Sequence, residues 1–395
     1  FVDLGMSPLC QTHIEPHQLN HMERFYPLRV WVCDKCFLVQ LQEYVSPDEI
    51  FSDYAYFSSY SQSWVEHARR YSVKMIERFG LSKSSLVMEV ASNDGYLLQH
   101  FVKAGVPVLG IEPAANVAKV AEERGVPTEV RFLGAKTARE IVAKHGQADL
   151  LAGNNVLAHV PDINDFVAGL KILIRQGGRI TMEFPHLARL ISENQFDTIY
   201  HEHFSYLSFS TVERIFAHHG LTLFDVEKLP THGGSLRIYA CHTGDQTHPV
   251  TDAVARLRQE EQAAGLQSLS GYAGFDEKVR ATKRKLLSFL ISAKEQGKKI
   301  VGYGAPGKGN TLLNYCGIRT DFLDFTVDMS PHKQGRYTPG THIPILHPDE
   351  LRRARPDYIL ILPWNLEREI VEQHAYVAEW GGRFVVPIPE VRVIS

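Results

Sequence analysis

The sequence has few cysteines, no long apolar run and no block of like charge, and each absence excludes a class of protein. Five cysteines in 395 residues are too few, and odd in number, for a disulfide framework, which favours a reducing compartment. No eighteen apolar residues follow one another, and no basic start with an apolar centre stands at the beginning, so neither a membrane span nor a signal peptide is predicted. The 42 basic and 45 acidic side chains leave a net charge of −3 without a run of five like charges, which argues against a nucleic-acid partner. We therefore expect a cytoplasmic protein with neither a nucleic-acid nor a membrane partner.

The length and the average composition predict several folded units. At roughly 100–200 residues per domain, a chain of 395 residues holds two to four domains. The pattern divides it into an N-terminal module (1–62), a central αβ domain (63–250), a charged helical connector (251–298) and a second αβ unit (299–395). We also expect that residues upstream of Phe1 have been cut off, because the chain begins directly in a strand-like run.

The N-terminal module contains half of a zinc site. Cys33 and Cys36 stand between two strand-like runs, 28–32 and 37–41, with the two-residue spacing of a zinc knuckle. A structural zinc needs four ligands, so the partners would be Cys10 with His13, or a second CxxC pair that this chain lacks. The alternative is a reduced hairpin without metal.

The central domain alternates strands and helices. Apolar residues at helical spacing predict a helix over 63–79, and further helices are predicted over 116–124 and 135–144. Strands are predicted over 86–90, 108–111, 150–152, 179–183, 221–227 and 235–241. This order predicts a mainly parallel sheet covered on both faces, with the last two strands forming an antiparallel pair at one edge.

The first strand leads into a tight turn that is typical of a nucleoside site. Residues 87–98 read as a buried strand, a small polar turn with one glycine, and a helix start, which aims backbone N–H groups at a ligand. Glu112, 17 residues after Gly95, ends the next strand and is placed to accept both ribose hydroxyls. A single glycine and the acidic Glu89 favour S-adenosylmethionine over NAD, since a pyrophosphate would be repelled. The alternative is an ordinary turn in which Asn93 and Asp94 cap a helix. The candidate cofactor-binding residues are Glu89, Ala91, Ser92, Asn93, Gly95, Glu112, Pro113 and Asn155.

Histidines and tyrosines cluster after the third and fourth strands. The segment 200–206 has the sequence Tyr-His-Glu-His-Phe-Ser-Tyr, and three such polar side chains in four residues are unusual in a core. His201, Glu202 and His203 would suit a metal site if they converged, but in an extended segment the two imidazoles would point together and the carboxylate away. Asn155 and His159 follow a strand end, where ligands bind in open αβ sheets.

The C-terminal unit carries a full glycine fingerprint. A G-x-G-x-x-G motif, formed by Gly302, Gly304 and Gly307, follows a strand predicted from residue 299. Asp328 stands at the end of the next predicted strand, 322–327, and lies 21 residues after Gly307. Further strands are predicted over 358–362 and 384–387. Read alone, this turn predicts NAD binding, and an NAD-dependent nucleotide-sugar oxidoreductase or epimerase is the alternative function.

Several long motifs resemble those of the S-adenosylmethionine-dependent sugar C-methyltransferases of deoxysugar biosynthesis. They are the segments 32–41, 54–61, 89–98, 153–159, 200–206 and 302–310, and the resemblance covers essentially the whole chain. It implies a class I methyltransferase Rossmann-like central domain, a C-terminal Rossmann-like domain that encloses a nucleotide sugar, and an N-terminal zinc-binding module. Members hold zinc with two CxxC pairs, of which only Cys33 and Cys36 match.

The resemblance also implies a reaction and roles for particular residues. A methyl group passes from S-adenosylmethionine to a ring carbon, which we expect to be C-3, of a nucleotide-linked 4-keto deoxysugar through an enolate. His203 resembles the general base, with Glu202 beside it and with Tyr54, Tyr200 and His159 lining the sugar pocket. With this function, Gly304, Lys308 and Asn310 would bind the diphosphate of the substrate, and the alternative is a purely structural turn. Related enzymes act as single chains, so we expect a monomer.

Overall fold

The computed structural model describes residues 1–51 and 57–394, and the strands of these residues form three sheets. The strands are β1 Val2–Ser7, β2 Tyr26–Val32, β3 Val39–Leu41, β4 Val87–Val90, β5 Val108–Ile111, β6 Thr128–Glu129, β7 Ala148–Asn154, β8 Ile174–Pro185, β9 Ser205–Tyr206, β10 Leu221–Leu229, β11 Ser235–His242, β12 Ile300–Tyr303, β13 Thr326–Val327, β14 Ile345–Leu346, β15 Tyr358–Ile361, β16 Arg383–Val386 and β17 Arg392–Ile394. The helices are α1 Pro47–Phe51, α2 Gln62–Phe79, α3 Leu98–Lys103, α4 Ala115–Glu123, α5 Ala135–His145, α6 Ile163–Leu173, α7 Leu187–Ser192, α8 Phe209–His218, α9 Asp252–Ala263, α10 Phe275–Glu295, α11 Gly307–Cys316, α12 Glu350–Ala354 and α13 Glu367–Gln373. In this part of the chain, no helix combines the length and the apolar character that a membrane crossing requires.

The central sheet has seven strands in the order β6-β5-β4-β7-β8-β11-β10 within the described residues. All neighbours are parallel except β11, which is antiparallel to both β8 and β10. Apolar clusters lie on both faces of the sheet, and β4 is buried along its whole length. These observations confirm the predicted parallel sheet with an antiparallel pair. Because only residues 230–234 join β10 to β11, the last strand turns back and inserts next to β8.

The C-terminal sheet has the order β14-β13-β12-β15-β16-β17, and its neighbours are parallel except at β17. The predicted strand over 322–327 is shorter than expected, because only Thr326–Val327 pairs in the sheet. Phe322 and Leu323 instead close a turn on the carbonyl of Arg319, and Leu323 is fully buried. Burial without strand pairing explains the error, since a short apolar run does not reveal its backbone conformation.

The predicted connector contains two helices, of which α10 packs in the C-terminal core and α9 packs on the central domain. Helices α9 and α10 are separated by residues 264–274, where the chain approaches itself so closely that a Cβ on Gly271 would clash with the carbonyl group of Gly265. Leu286 and Leu290 of α10 pack in the same apolar cluster as β12 and β15. Val254 and Leu257 of α9 instead pack in the apolar cluster of the central domain, so the segment contacts both domains.

The N-terminal segment shares its core with the C-terminal domain. Val2, Leu28 and Val39 of β1, β2 and β3 lie in the same apolar cluster as Ile300 and Leu360. The N-terminal sheet also gains β9, which comes from the segment that carries His203, in the order β1-β2-β3-β9. The N-terminal and C-terminal units are thus packed as one, with the central domain against them.

Candidate functional site

The carboxyl ends of β4 and β7 carry an unusual backbone conformation. Ala91, Asn93 and Asn155 have φ values of 55°, 48° and 54°, which L-residues with a side chain seldom adopt. Gly95 in the same turn has φ 75°, and a Cβ there would lie 3.1 Å from a Val126 methyl group. Strained backbone of this kind concentrates at ligand sites. The turn predicted from sequence therefore has the properties of a binding site.

Glu112 lies one residue after β5 and closes this turn. Its Oε2 accepts a hydrogen bond from the Asn93 amide at 2.9 Å, and its Oε1 accepts one from the Ala114 amide at 3.0 Å. Burial raises the pKa of Glu112 to about 7, although these two N–H groups oppose the shift. Each carboxylate oxygen can accept a second hydrogen bond, which leaves room for the two hydroxyls of a ribose.

Asn93 and Asp94 hold a neighbouring segment rather than a helix. Asn93 Oδ1 accepts from the Ser58 amide at 2.9 Å, and Asp94 accepts from the Ser59 hydroxyl and pairs with Arg124 at 3.1 Å. Helix α3 begins at Leu98, four residues later, and no side chain caps it. The helix-cap alternative for these two residues is therefore wrong, and Asn93 remains a predicted cofactor residue whose Oδ1 accepts from the Ser58 amide.

Buried polar atoms without partners surround the turn. Both carboxylate oxygens of Glu89, the hydroxyl of Ser92 and Oδ1 of Asn154 are buried without a hydrogen bond of good geometry within the described residues. Burial raises the pKa of Glu89 well above its usual range, and the nearby Tyr96 hydroxyl opposes this only in part. A bound cation would relieve this cost. The residues present therefore fit S-adenosylmethionine, which carries a sulfonium and an ammonium group.

His203 lies at the centre of the predicted catalytic cluster. Its Nδ1–H donates to the carbonyl oxygen of Thr198 at 2.8 Å, so Nε2 remains as the basic atom. The ring centroid lies 4.7 Å from that of His159 and 4.1 Å from that of Tyr200. Burial lowers the pKa of His203 to about 4, and it lowers the pKa of His159 well below the usual value. Both imidazoles are therefore neutral near pH 7.

The backbone next to His203 joins two parts of the molecule. The Phe204 amide donates to the Ala158 carbonyl at 2.8 Å, and the Phe204 carbonyl accepts from the Leu41 amide at 3.0 Å. Strand β9 follows immediately and pairs with β3. The imidazole is thus held where the N-terminal sheet meets the central domain.

The neighbours of His203 in sequence point elsewhere. Glu202 accepts a hydrogen bond from the Cys10 thiol at 3.6 Å, and His201 Nε2 lies 3.2 Å from the Pro27 carbonyl oxygen. Within residues 1–51 and 57–394, no three histidine, cysteine or acidic side chains are grouped as metal ligands. The structure therefore does not support the metal hypothesis for the 201–203 segment. Tyr54, also predicted for the sugar pocket, lies outside the described residues.

The described residues do not complete the predicted zinc site either. Cys33 and Cys36 form a tight turn in which the N–H groups of Cys36 and Lys35 lower the pKa of the Cys33 thiol. The Cys10 thiol is occupied by Glu202, and His13 Nε2 lies 3.2 Å from the Ala305 carbonyl oxygen. The pairing of Cys33 and Cys36 with Cys10 and His13 is therefore wrong. The described residues supply two of the four ligands that a structural zinc requires and do not by themselves fit the metal.

Other residues of this chain pack closely around the C-terminal glycine turn. Its Ala305 amide donates to Asp328 Oδ2 at 2.8 Å, which occupies the carboxylate that a ribose would need. Asn310 Nδ2 donates to the Cys10 carbonyl at 2.7 Å, and a Cβ on Gly307 would lie 2.9 Å from the Cys10 sulfur. A Cβ on Gly304 would lie 2.6 Å from the Pro363 ring. The glycines permit close packing here, and nothing favours an NAD pyrophosphate at this turn.

Lys308 points from this turn towards the central domain. Its ammonium donates to Asn365 Oδ1 at 2.7 Å and lies 4.6 Å from the centroid of the Trp364 ring. The Trp364 indole N–H in turn donates to the fully buried Asp197 at 2.7 Å. The positive charge of Lys308 contributes to the lowered pKa of His203. Of the three predicted substrate residues in this domain, Lys308 is thus the one whose charge acts on His203.

Sequence reasoning missed an aromatic and ionic layer beside the site. Trp64 stacks on His67 at 4.9 Å and on Tyr96 at 5.9 Å, and His67 bonds to Glu183 at 2.9 Å. His232 also lies against Trp64, with ring centroids 5.1 Å apart. Trp64 and His67 could have been noticed as polar-tipped side chains on one face of the predicted helix, but no local signal marks His232.

The sheet order and the acidic residues at its carboxyl edge define a class I S-adenosylmethionine-dependent methyltransferase. Three family models match the chain: a "Putative zinc binding domain" over residues 1–51, a "Methyltransferase domain" over 64–226 and a "C-methyltransferase C-terminal domain" over 230–389. The chain is also 39% identical over 397 residues to the C-methyltransferase NovU of Streptomyces niveus, covering 100% of this chain and 94% of that protein. The chain therefore belongs to the S-adenosylmethionine-dependent C-methyltransferase family and is an enzyme, which confirms the resemblance.

Weaker likenesses cover less than half of the chain. The chain is 30% identical over 96 residues to a ubiquinone biosynthesis O-methyltransferase of Methylobacterium sp. (strain 4-46), covering 23% of this chain and 37% of that protein. The structure of magnesium protoporphyrin IX methyltransferase from Synechocystis PCC 6803 matches 45% of this chain and 83% of that one, at 14% identity and a TM-score of 0.37. The CcbJ methyltransferase of Streptomyces caelestis matches 45% and 90%, at 9% identity and a TM-score of 0.37.

Proposed function

We propose that this enzyme methylates a ring carbon, C-3 by expectation, of a nucleotide-linked 4-keto deoxysugar, with His203 as the general base. The observation that carries the proposal is the geometry of His203. Its Nδ1–H is fixed on the Thr198 carbonyl, its ring is packed between His159 and Tyr200, and burial keeps it neutral. A neutral imidazole whose Nε2 has no hydrogen-bond partner among the described residues suits the removal of a proton from carbon beside a carbonyl group.

The predicted cofactor residues lie at the carboxyl edge of the central sheet. We propose that Glu112 accepts the ribose hydroxyls, that Glu89 faces the positively charged end, and that Gly95 lets the backbone approach closely. When bound, S-adenosylmethionine supplies an electrophilic methyl group. Ala91, Ser92, Pro113 and Asn155 flank this position at the ends of β4, β5 and β7. Their side chains therefore limit the space in which sugar and cofactor meet.

The substrate residues come from more than one domain. We propose that the Tyr200 hydroxyl and His159 line the sugar pocket and that the ammonium of Lys308 attracts the diphosphate. Gly304 and Asn310 make their contacts within the chain, so we now assign them to packing. Lys308→Met should raise KM for the nucleotide sugar at least tenfold and leave the affinity for S-adenosylmethionine unchanged.

The decisive experiment separates proton removal from methyl transfer. The enzyme is incubated with 4-keto nucleotide sugars in D₂O, with and without labelled S-adenosylmethionine, and methyl transfer and deuterium incorporation are followed by NMR. We expect His203→Ala to lose both while binding S-adenosylmethionine normally by calorimetry. His218→Ala is the matched control, because His218 is exposed at the end of α8. Full deuterium exchange in His203→Ala, or tight NAD binding without binding of S-adenosylmethionine, would refute the proposal.

The pH profile gives a second check on the same residue. At pH 5.5 an imidazole with a pKa of about 4 is ~97% neutral, whereas an unperturbed one with a pKa of 6.5 is ~9% neutral. Because the base must be neutral, kcat should change by less than about 20% between pH 7 and pH 5.5 at saturating substrates. A tenfold fall over this range would contradict the assignment.

A further inference from the structure

The turn between β10 and β11 holds a histidine in a strained conformation. His232 has φ 53°, which is unusual for this residue, and two glycines follow it. A Cβ on Gly233 would lie 2.6 Å from the Trp364 ring and 2.8 Å from Gln195 Nε2. The turn is therefore packed against both the C-terminal domain and the central domain. The position of His232 is fixed by tertiary contacts rather than by local preference.

A hydrogen bond fixes the orientation of the His232 ring. Asn155 Nδ2 lies 2.9 Å from His232 Nε2. An amide nitrogen can only donate, so Nε2 accepts and the ring proton resides on Nδ1. Asn155 itself has φ 54°, and its backbone amide donates to the Glu183 carbonyl at 2.8 Å. Asn155, which follows β7, and His232, in the turn between β10 and β11, thus both have left-handed backbone where their side chains meet.

The Nδ1–H group is left available for a ligand. Within the described residues it has no hydrogen-bond partner, and the Trp64 ring lies against the imidazole with the two ring planes 68° apart. The charged and titratable groups near His232 are Lys308, Glu183, His203, His67 and His159, and burial together with Lys308 lowers the pKa of His232 to about 4. The imidazole is therefore neutral and can act only as a weakly acidic donor at this atom.

Deprotonation beside a carbonyl group requires such a donor. When the C–H bond breaks, its proton moves to Nε2 of His203 and its electron pair forms the carbon–carbon double bond. The π pair of the carbonyl group moves to oxygen, and this oxyanion needs hydrogen bonds. As the carbon takes the methyl group, the carbonyl re-forms and the electron pair of the broken S–C bond remains on sulfur. A neutral imidazole N–H can stabilise such an oxyanion without itself competing for the proton.

We propose that His232 is a second catalytic histidine, whose Nδ1–H, oriented by Asn155, donates to the carbonyl oxygen of the substrate as the enolate forms. This inference rests on the proposed function. The two imidazoles would have different roles. The Nδ1 atom of His203 is hydrogen-bonded to a carbonyl oxygen, which leaves a basic Nε2, whereas the Nε2 atom of His232 is hydrogen-bonded to a side-chain amide, which leaves an N–H group at Nδ1. The opposite anchoring of the two imidazoles is what assigns the opposite roles.

The test compares two substitutions that both tolerate a left-handed backbone. His232→Asn keeps an N–H donor, whereas His232→Asp is similar in shape but carries acceptors alone when ionised. At pH 8, where His203 stays neutral in both variants, we expect His232→Asp to lose about 10²–10³-fold in both kcat and deuterium exchange. His232→Asn should retain at least ten times the rate of His232→Asp, and both should bind S-adenosylmethionine within twofold of the unmodified enzyme. Circular dichroism and thermal unfolding confirm that both variants are folded.

The outcomes separate this inference from the proposed function. Equal rates for the two variants, or rates within threefold of the unmodified enzyme for both, would overturn the role of His232 while leaving His203 as the base. Deuterium exchange that survives His203→Ala but disappears in His232→Asn would also overturn it, because His232 would then be the base. If the unmodified enzyme methylates no 4-keto nucleotide sugar, the proposed function fails and this inference fails with it.

Discussion

Replacing Arg237 with methionine removes the guanidinium from a carboxylate buried beside the candidate site. Glu183 is 1% exposed and Arg237 is 3% exposed. Arg237 Nε donates to Glu183 Oε1 at 2.8 Å, and His67 lies 2.9 Å from Oε2. Burial raises the pKa of Glu183, but His67 and Arg237 outweigh it and hold that pKa below its usual value. The carboxylate is therefore ionised because of these two partners.

Without Arg237, the buried carboxylate of Glu183 keeps only His67 of its two partners. Removal of one member of a buried ion pair costs about 3–5 kcal/mol, because the remaining charge is not compensated. With an unfolding entropy of about 2.1 cal/mol/K per residue, the 395 residues give roughly 0.8 kcal/mol/K if the chain unfolds as one unit. We therefore expect Arg237→Met to lower Tm by about 4–6 °C at pH 7.5.

The pH dependence of the difference in Tm shows whether the lost interaction between Arg237 and Glu183 is electrostatic. Without the guanidinium, the folded-state pKa of Glu183 rises, so the folded variant gains a proton that the unfolded chain does not bind. The difference in Tm between the unmodified enzyme and Arg237→Met should therefore shrink as the pH falls from 8 to 5. Scanning calorimetry across this range measures it.

A double variant and a surface variant complete the design. Glu183→Gln combined with Arg237→Met should be more stable than Arg237→Met alone, because no unpaired charge remains. Arg258→Met is the matched control, since Arg258 pairs with Glu213 on the surface and should change the free energy of unfolding by about 1 kcal/mol or less. A Tm of Arg237→Met equal to that of the control, or a double variant as unstable as the sum of its two single changes, would refute the reasoning.

Three further changes test other parts of the structure. Glu112→Gln should raise the Kd for S-adenosylmethionine, measured by calorimetry, by about 10–100-fold. A side-chain amide cannot accept hydrogen bonds from the two backbone N–H groups and from two ribose hydroxyls at once. An unchanged Kd would exclude Glu112 from the ribose site. Burial raises the pKa of Asp197 from 3.8 to about 7, so the folded state holds a proton that the unfolded chain loses between these values. Relative to Asp197→Asn, the unmodified enzyme should lose stability as the pH rises from 4 to 7; parallel Tm profiles would contradict the shift. Gly271→Ala should lower the free energy of unfolding by about 1–3 kcal/mol in a denaturant titration, because its Cβ would clash with the Gly265 carbonyl group; a loss below 0.5 kcal/mol would mean that the turn relaxes.

Strand positions and the cofactor turn could be read from the sequence because their signals are local. The run Val87–Val90 is apolar throughout, which marks a strand buried on both faces. A short polar turn with one glycine, followed by an acidic residue one strand later, predicted the positions of Gly95 and Glu112. The short apolar run 322–327 carried the same signal and misled, because burial without pairing looks identical in sequence.

The partners of polar side chains could not be read in this way. Glu202 stands next to His203 in sequence, yet its carboxylate contacts Cys10, which is 192 positions away. The glycine fingerprint at 302–307 matched a nucleotide site, but residues of the N-terminal segment fill the space that a pyrophosphate would occupy. Neither set of contacts is visible in the sequence, because the partner of a side chain is determined by the tertiary structure.

By itself the sequence determined the alternating αβ elements, the carboxylates at two strand ends and the residue types needed to remove a proton from carbon. Apolar periodicity and turn-forming residues act over a few positions, so they can be recognised in the sequence itself. Tertiary structure alone decided that β9 joins the N-terminal sheet, that Lys308 reaches the central domain, and that Asn155 orients His232. Each of these depends on burying apolar surface between distant segments, and no short stretch of residues records where such segments will meet.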